Sequence, residues 1–186
     1  MVPFSNSAVR KLRLWRMAAD RSGVAAVEFA LILPVMVLMY LGGFEVLQGI
    51  AIDRMTALSA STVTNLVSQY STISSTTQMP DILNASSQVL TPYPSVNANV
   101  VVSCISVDGA GHATIAWSQA INGAARVVGA SYTLPAALDV PNTEVILGET
   151  TYAYTPTIDF MSLGTINLYA SDYMLPRSST TIALTP

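Results

Sequence analysis

The hydrophobic pattern changes character along the chain. From Val24 to Phe44 the run VAAVEFALILPVMVLMYLGGF is apolar at nearly every position and carries one charge, Glu28. As a helix this run covers about 31 Å, close to the hydrocarbon thickness of a bilayer. Beyond it the pattern turns amphipathic. Met55, Leu58, Thr62, Leu66 and Tyr70 recur at spacings of 3, 4, 4 and 4, which is one face of a helix. Residues 46–70 hold no proline and a single glycine, Gly49. The pattern therefore predicts one helix of about 45 residues, half in lipid and half outside. Pro34 predicts a kink within it, and Gly42-Gly43 a second soft point. The Ser/Thr-rich run Ser71–Thr77 ends it, because such side chains compete for backbone hydrogen bonds.

From there the chain reads as short elements. A helix is expected around Asp81–Leu90, broken by Pro92 and Pro94. Asn97–Val107 and His112–Gln119 read as two strands of a hairpin joined by the turn Asp108–Gly111. Asn122-Gly123 breaks the chain again, Ala124–Val128 is too short to assign, and Pro135 and Pro141 bracket a small loop. Glu144–Tyr154 alternates as a long strand ended by Pro156, and Thr165–Tyr173 alternates as its antiparallel partner. Residues 180–184 are expected to add an edge. The fold class expected is α+β: a long kinked N-terminal transmembrane helix extending into a small antiparallel β-sheet domain.

Composition sharpens this. Of 186 residues 51% are hydrophobic and 10% charged, against roughly 25% charged in ordinary soluble domains. With a mean hydropathy of +0.48, a disordered chain is excluded. Up to Gly23 there are five basic residues (Arg10, Lys11, Arg13, Arg16, Arg21) against one acidic, a net of +4; from Val24 onward three basic face ten acidic, a net of −7. A basic tail can serve nucleic acid or a membrane. The adjacent apolar run makes membrane topology the simpler cause, so no nucleic-acid partner is expected, and the positive-inside rule keeps residues 1–23 in the cytoplasm. A secretory signal or plain signal anchor shares these features. However, the run exceeds the usual h-region of about 7–15 residues, and Gly42-Gly43-Phe44 is not an Ala-x-Ala site.

Candidate chemistry is sparse. One cysteine, Cys104, and one histidine, His112, exclude an intrachain disulfide and a Cys/His zinc site within one chain. Paired strands would allow these two a thiolate–imidazole dyad, but a small buried thiol and a turn histidine is the plainer reading. Asp108-Gly109-Ala110-Gly111 lacks the spaced carboxylates of a calcium loop. No G-x-S-x-G, HExxH or Walker A pattern occurs. Tyr132, Tyr152, Tyr154, Tyr169 and Tyr173 read as strand aromatics of a core rather than an adhesive surface. No enzyme, metal, cofactor or small-molecule substrate is expected.

The N-terminal boundary carries more. A basic leader ends at Gly23, and Glu28-Phe29 follows five residues later, leading into the uncharged run to Phe44. This resembles the class III signal of type IV pilin-like proteins, which prepilin peptidase cleaves after the glycine. The resemblance puts the scissile bond between Gly23 and Val24 and makes Glu28 the fifth residue of the mature chain. A carboxylate inside a membrane costs about 3 kcal/mol on insertion scales. The resemblance implies that its partner is the free α-amine of a neighbouring subunit's first residue; the plain alternative is an acid snorkelling at the interface.

More narrowly, RSGVAAVEFALILPVMVLMYLGGFEV is similar to the TadE-like pseudopilin family. That family's pattern is met by Glu28-Phe29, by Leu31-Ile32-Leu33-Pro34 and by Glu45 near the outer end. Tyr152-Ala153-Tyr154-Thr155-Pro156, Ile166–Ser171 and the closing Pro176-Arg177 resemble its tail. The resemblance implies a minor pilin-like component of a tight-adherence (Flp-type) pilus, processed by prepilin peptidase. Its partners would be other pilin-like subunits and the pilus assembly machinery. It would sit in the inner (cytoplasmic) membrane as a single-pass protein, N-terminus cytoplasmic and C-terminal domain periplasmic or extracellular. The division expected is a cleaved leader at 1–23, a transmembrane helix at 24–45, its extracytoplasmic continuation at 46–77 and a β-rich domain at 78–186. Two rival readings stand beside it: a signal-anchored periplasmic enzyme with a pocket around Cys104 or an aspartate, and an envelope scaffold unrelated to pili.

Overall fold

The computed structural model describes residues 23–156 and 164–186. The basic residues of the expected leader, from Arg10 to Arg21, lie outside the described residues. The fold is α+β, opening with helix α1 over Val24–Ser68, 45 residues long and helical on both sides of Pro34. The chain divides between Phe44 and Glu45 into two compact units. In the first, every residue from Val24 to Tyr40 is exposed.

The second unit continues with β1 (Thr72–Ser74), α2 (Gln78–Gln88), a 3-10 turn at Ser95–Asn97, β2 (Ala98–Val107), β3 (Ala113–Ile121), β4 (Thr143–Tyr154), β5 (Ile166–Met174) and β6 (Ala183–Thr185). Four strands form an antiparallel sheet in the order β3-β2-β4-β5. The hairpin and the β4–β5 pair match the alternation in the sequence. The last strand differs from expectation. β6 does not edge this sheet but pairs in parallel with β1, a strand inside the Ser/Thr run that was expected only to end the helix. Ile73 and Ile182, both buried, supply the apolar contact that polar neighbours hide in the sequence.

One face of the sheet packs on α1. Val100, Val102, Cys104 and Ile146 cluster with Val63 and Val67 of the helix, with Met79, Ile82 and Leu83 of α2, and with Trp117 and Ile182. The Met55–Tyr70 stripe packs only along its margin: Leu66 and Tyr70 lie half-buried against the cluster of Val63 and Val67, and Met55 against that of Ile52. The buried residues of α1 are Ile52, Thr56, Ser59, Ala60, Val63, Thr64, Val67 and Ser68, whereas Leu58 is 55% exposed.

Gly148 of β4 supplies the reason. A Cβ there would stand 2.6 Å from the Ala60 carbonyl oxygen and 2.8 Å from Val63 Cγ1. Helix and strand approach so closely that only small side chains fit between them. The hydroxyls on this face are all bonded: Thr56 Oγ1 donates to Ile52 O (2.8 Å) and Thr64 Oγ1 to Ala60 O (2.7 Å) within the helix, and Ser59 Oγ donates to Ser86 O of α2 (2.8 Å). Bonded in this way, they are buried without the penalty of an orphaned polar group.

The other face is covered by the connection 122–142, which runs as a strap. Leu134 joins Ile105, Val107, Ala113, Ile115, Val145 and Leu147, with Tyr132, Leu138 and Tyr173 at the margin. Backbone bonds tie the strap to β3: Ile115 N–H to Ala130 O (3.0 Å), Gly129 N–H to Ile115 O (2.8 Å) and Tyr132 N–H to Ala113 O (2.9 Å).

Candidate functional site

α1 starts at Val24, directly after Gly23. Glu28 lies four residues on, so it shares a helix face with Val24. Helical side chains lean toward the N-terminus, which aims this carboxylate toward the end where unbonded N–H groups carry partial positive charge. Glu28 and Phe29 are both exposed. Sixteen uncharged residues separate Glu28 from Glu45, a helical rise of about 24 Å. Pro34 lies in this interval, and the helix is long and apolar enough there to cross a membrane.

At the outer end of the run, Glu45 is held. Tyr154 OH donates to Glu45 Oε2 at 2.6 Å and lies 3.4 Å from the Glu45 carbonyl oxygen. The ring packs on the helix at Gly49. Tyr152, two residues earlier on the same strand face, clusters with Ile52, Leu90 and Ala98. The aromatic-x-aromatic end of β4 thus grips α1 over its first turns beyond the uncharged run. Burial, and then the bond to Glu45, pushes the Tyr154 hydroxyl up to about 12.

Residues 23–62 match the family model of TadE-like proteins. The TadE-like segment holds Gly23, Val24, Glu28, Phe29, Pro34 and Glu45 and ends within α1. No curated protein and no solved structure matches the chain. Tyr152, Tyr154 and Arg177 lie outside the TadE-like segment, yet Tyr154 bonds to Glu45 within it.

Elsewhere the chemistry is structural. Cys104 faces Trp117 across the β2–β3 pair and is fully buried. Its thiol donates to Glu144 Oε2 at 3.2 Å. Burial first, and then the Glu144 charge, pushes the thiol pKa up, so the thiolate is disfavoured. His112 stands in the exposed turn with Nδ1 3.2 Å from Asp108 Oδ2. Cys104 and His112 therefore form no dyad. Asp108 Oδ1 accepts the N–H groups of Ala110 and His112, each at 2.8 Å. The carboxylate is held below its usual range, chiefly by the His112 N–H, and serves the turn. Among the described residues no group of three or more His, Cys, Asp or Glu side chains gathers.

One cluster was not anticipated. Glu149, on the strap face of β4, is 7% exposed. Arg126 of the strap meets it with two bonds, Nε to Oε2 at 2.6 Å and Nη2 to Oε1 at 2.7 Å, and Tyr169 OH adds a third at 2.7 Å. Arg126 lies 5.1 Å from the Tyr132 ring centroid, and Tyr132 OH meets Tyr173 OH at 2.8 Å. Burial works to raise the Glu149 pKa, but the Arg126 and Tyr169 bonds and the Arg126 charge outweigh it and hold the carboxyl below its usual range. The only sequence signal for this pair was an acid at an inward position of an alternating strand.

Proposed function

We propose that this protein is a minor pilin-like subunit of a tight-adherence (Flp-type) pilus, cleaved by prepilin peptidase between Gly23 and Val24. The reading rests on one observation: the TadE-like segment begins at a glycine directly before a long, exposed apolar helix, with an acid four residues into that helix. Glycine allows the backbone close approach to a peptidase at the cytoplasmic membrane face. Cleavage would create an α-amine at Val24, and Glu28 of one subunit would pair with the amine of its neighbour, setting axial register. A carboxylate in lipid needs such a partner. The second unit, held at Glu45 by Tyr154, would stand on the periplasmic or extracellular side. A domain of this size suits a scarce subunit in an initiating or tip complex better than a packed shaft. Through it the protein would take part in pilus assembly, adhesion and surface attachment.

N-terminal sequencing of membrane-extracted protein, with and without active prepilin peptidase, tests this. A mature chain starting at Val24 is expected only with the peptidase. An intact leader beside active peptidase overturns the reading. Glu28→Ala is expected to be processed yet not incorporated; full pilus function in that variant sinks the pairing role.

A further inference from the structure

The four-stranded sheet has two edges, and the chain closes only one of them. The outer edge of β3 is bonded by the strap through Gly129, Ala130 and Tyr132. β5 forms the other edge. Its nine residues pair with β4 in unbroken register from Ile166 to Met174, with no proline, lysine or arginine among them. Such residues, and bulges, are the usual devices that keep an edge from pairing with another chain.

In an antiparallel ladder every second residue turns its N–H and C=O away from the neighbouring strand. On β5 the outward set is Asn167, Tyr169, Ser171 and Tyr173, because the Tyr173 N–H donates to Asp172 Oδ1 at 3.0 Å, outside the ladder. Among the described residues nothing bonds the backbone of Asn167, Tyr169 or Ser171 on that side. The free edge thus runs from Asn167 to Ser171 and is closed by Asp172. We propose that this edge takes up an extended segment of a different protein as an added strand, antiparallel to β5, with apolar side chains toward α1 and a carboxylate toward Arg177.

The surroundings of the edge set that chemistry. Every second side chain of an added strand lies on the α1 side of the sheet. There an open groove of about 340 Å³ runs between α1 and the end of β5, with Leu58, Thr62, Met174 and Arg177 in its lining. Leu58, 55% exposed, is the apolar surface that such a side chain would cover. Arg177 is exposed, and its guanidinium meets Met174 Sδ at 3.3 Å, a weak acceptor. No described carboxylate pairs with it, the ion pairs being His112–Asp108 and Arg126–Glu149. A carboxylate is the group this cation fits. Backbone bonds along the edge supply affinity, and the groove with its cation selects the side chains.

Topology argues against a second copy as the occupant. Beyond Glu45, α1 runs in the same direction as β5: Glu45 bonds Tyr154, which is opposite Ile166, and Ser68 Oγ donates to Met174 Sδ. Two β5 edges paired about a two-fold axis are antiparallel, which points their helices in opposite directions. Copies anchored alike in one membrane do not emerge that way, so this step rests on the single-pass reading above.

Fluorescence anisotropy tests the proposal on the full chain in detergent. The probe is a labelled peptide of about eight residues, alternating valine and threonine, with glutamate in place of one valine. Saturable binding is expected. In an antiparallel pair the bonded residues share a face, so the threonine amides face β5. N-methylation of the threonine amides should weaken binding at least roughly tenfold, and N-methylation of the valine amides should not. Ser171→Pro removes one outward N–H where an edge strand admits proline, and should weaken binding by a similar factor while the chain keeps its melt. Arg177→Glu should weaken it roughly tenfold, and a peptide with lysine in place of glutamate should restore binding to that variant. No saturable binding up to about 1 mM, equal binding of the threonine-methylated peptide, or no rescue by lysine overturns the proposal. So does a disulfide-linked dimer of Ser171→Cys, Cys104→Ala chains in their native membrane, which would make the second copy the occupant. N-terminal sequencing of the membrane-extracted chain reads the pilin assignment separately. Peptide binding by a chain left unprocessed beside active peptidase overturns only that assignment, and a processed chain that binds no peptide overturns only the added strand.

Discussion

From Val24 to Phe44, α1 turns its large apolar side chains outward on every side; from Glu45 to Ser68 it buries mostly small and hydroxylated ones. Leu31 is 72% and Met39 74% exposed, while Ser59, Ala60 and Thr64 are fully buried. Apolarity and burial within the protein run in opposite directions along one helix. The first stretch is long and apolar enough to cross a membrane. The second needs closeness to a strand, and small residues that bond their own helix carbonyls deliver it.

The sharpest way to break this contrast is at Gly148. Gly148→Val would drive a branched side chain into the Ala60 carbonyl and Val63, and backbone cannot yield as a flexible side chain does. Overpacking of this kind costs about 3 kcal/mol or more. The full chain in detergent should lose its cooperative melt or melt far lower, while Met36→Ala in the first stretch should leave the transition within about 0.5 kcal/mol of wild type. A Gly148→Val protein that melts like wild type would show that the helix can sit farther from the sheet.

The same contrast explains what the sequence disclosed. The length of α1 was legible because apolar residues and an absence of breakers are local signals. Strand alternation was legible for β2 to β5, where inward and outward positions differ in polarity. The fully buried face of α1 was not, because Thr56, Ser59 and Thr64 read as solvent-facing until the sheet is seen against them, with Gly148 set against Ala60, Val63 and Thr64 from more than eighty residues away. The strap was hidden too, since Arg126 and Glu149 are unremarkable until the strap folds back on β4. At the candidate site the N-terminal pattern was readable as one local motif. The grip of Tyr154 on Glu45 was not, although both residues stood in recognisable patterns, because no local rule links them.

A smaller effect is expected at the strap. Arg126→Ala leaves Glu149 buried with only Tyr169 as a side-chain partner. The arginine side chain is 38% exposed, so the loss should be about 2 kcal/mol, below that of a fully buried pair. Protonation tests the same bond. The Glu149 pKa is lower in the folded chain than its ordinary value of 4.5. Its contribution is therefore present above about pH 4.5 and is lost as the pH falls through the folded value. Glu149→Gln should flatten that acid limb of a melting-temperature profile, and an unchanged acid limb would remove Glu149 as its source.

The smallest expected effect lies where the two stretches of α1 meet. Tyr154→Phe keeps the ring against Gly49 and removes only the hydroxyl that Glu45 accepts, so about 1 kcal/mol is expected. Because that hydroxyl is held up to about 12, above the ordinary tyrosine value of 10.0, its contribution is intact below about pH 10 and lost as the pH rises through the folded value. Tyr154→Phe should therefore lose stability at neutral pH and show a flatter alkaline limb than wild type. Hydrogen exchange locates the effect more finely than a melt does. Amides over Glu45–Ile52 should exchange faster in the variant, while those around Val63 and Val67, held by the sheet, should not change. Equal acceleration at both places would mean that Tyr154 supports the whole domain rather than gripping the helix where its uncharged run ends.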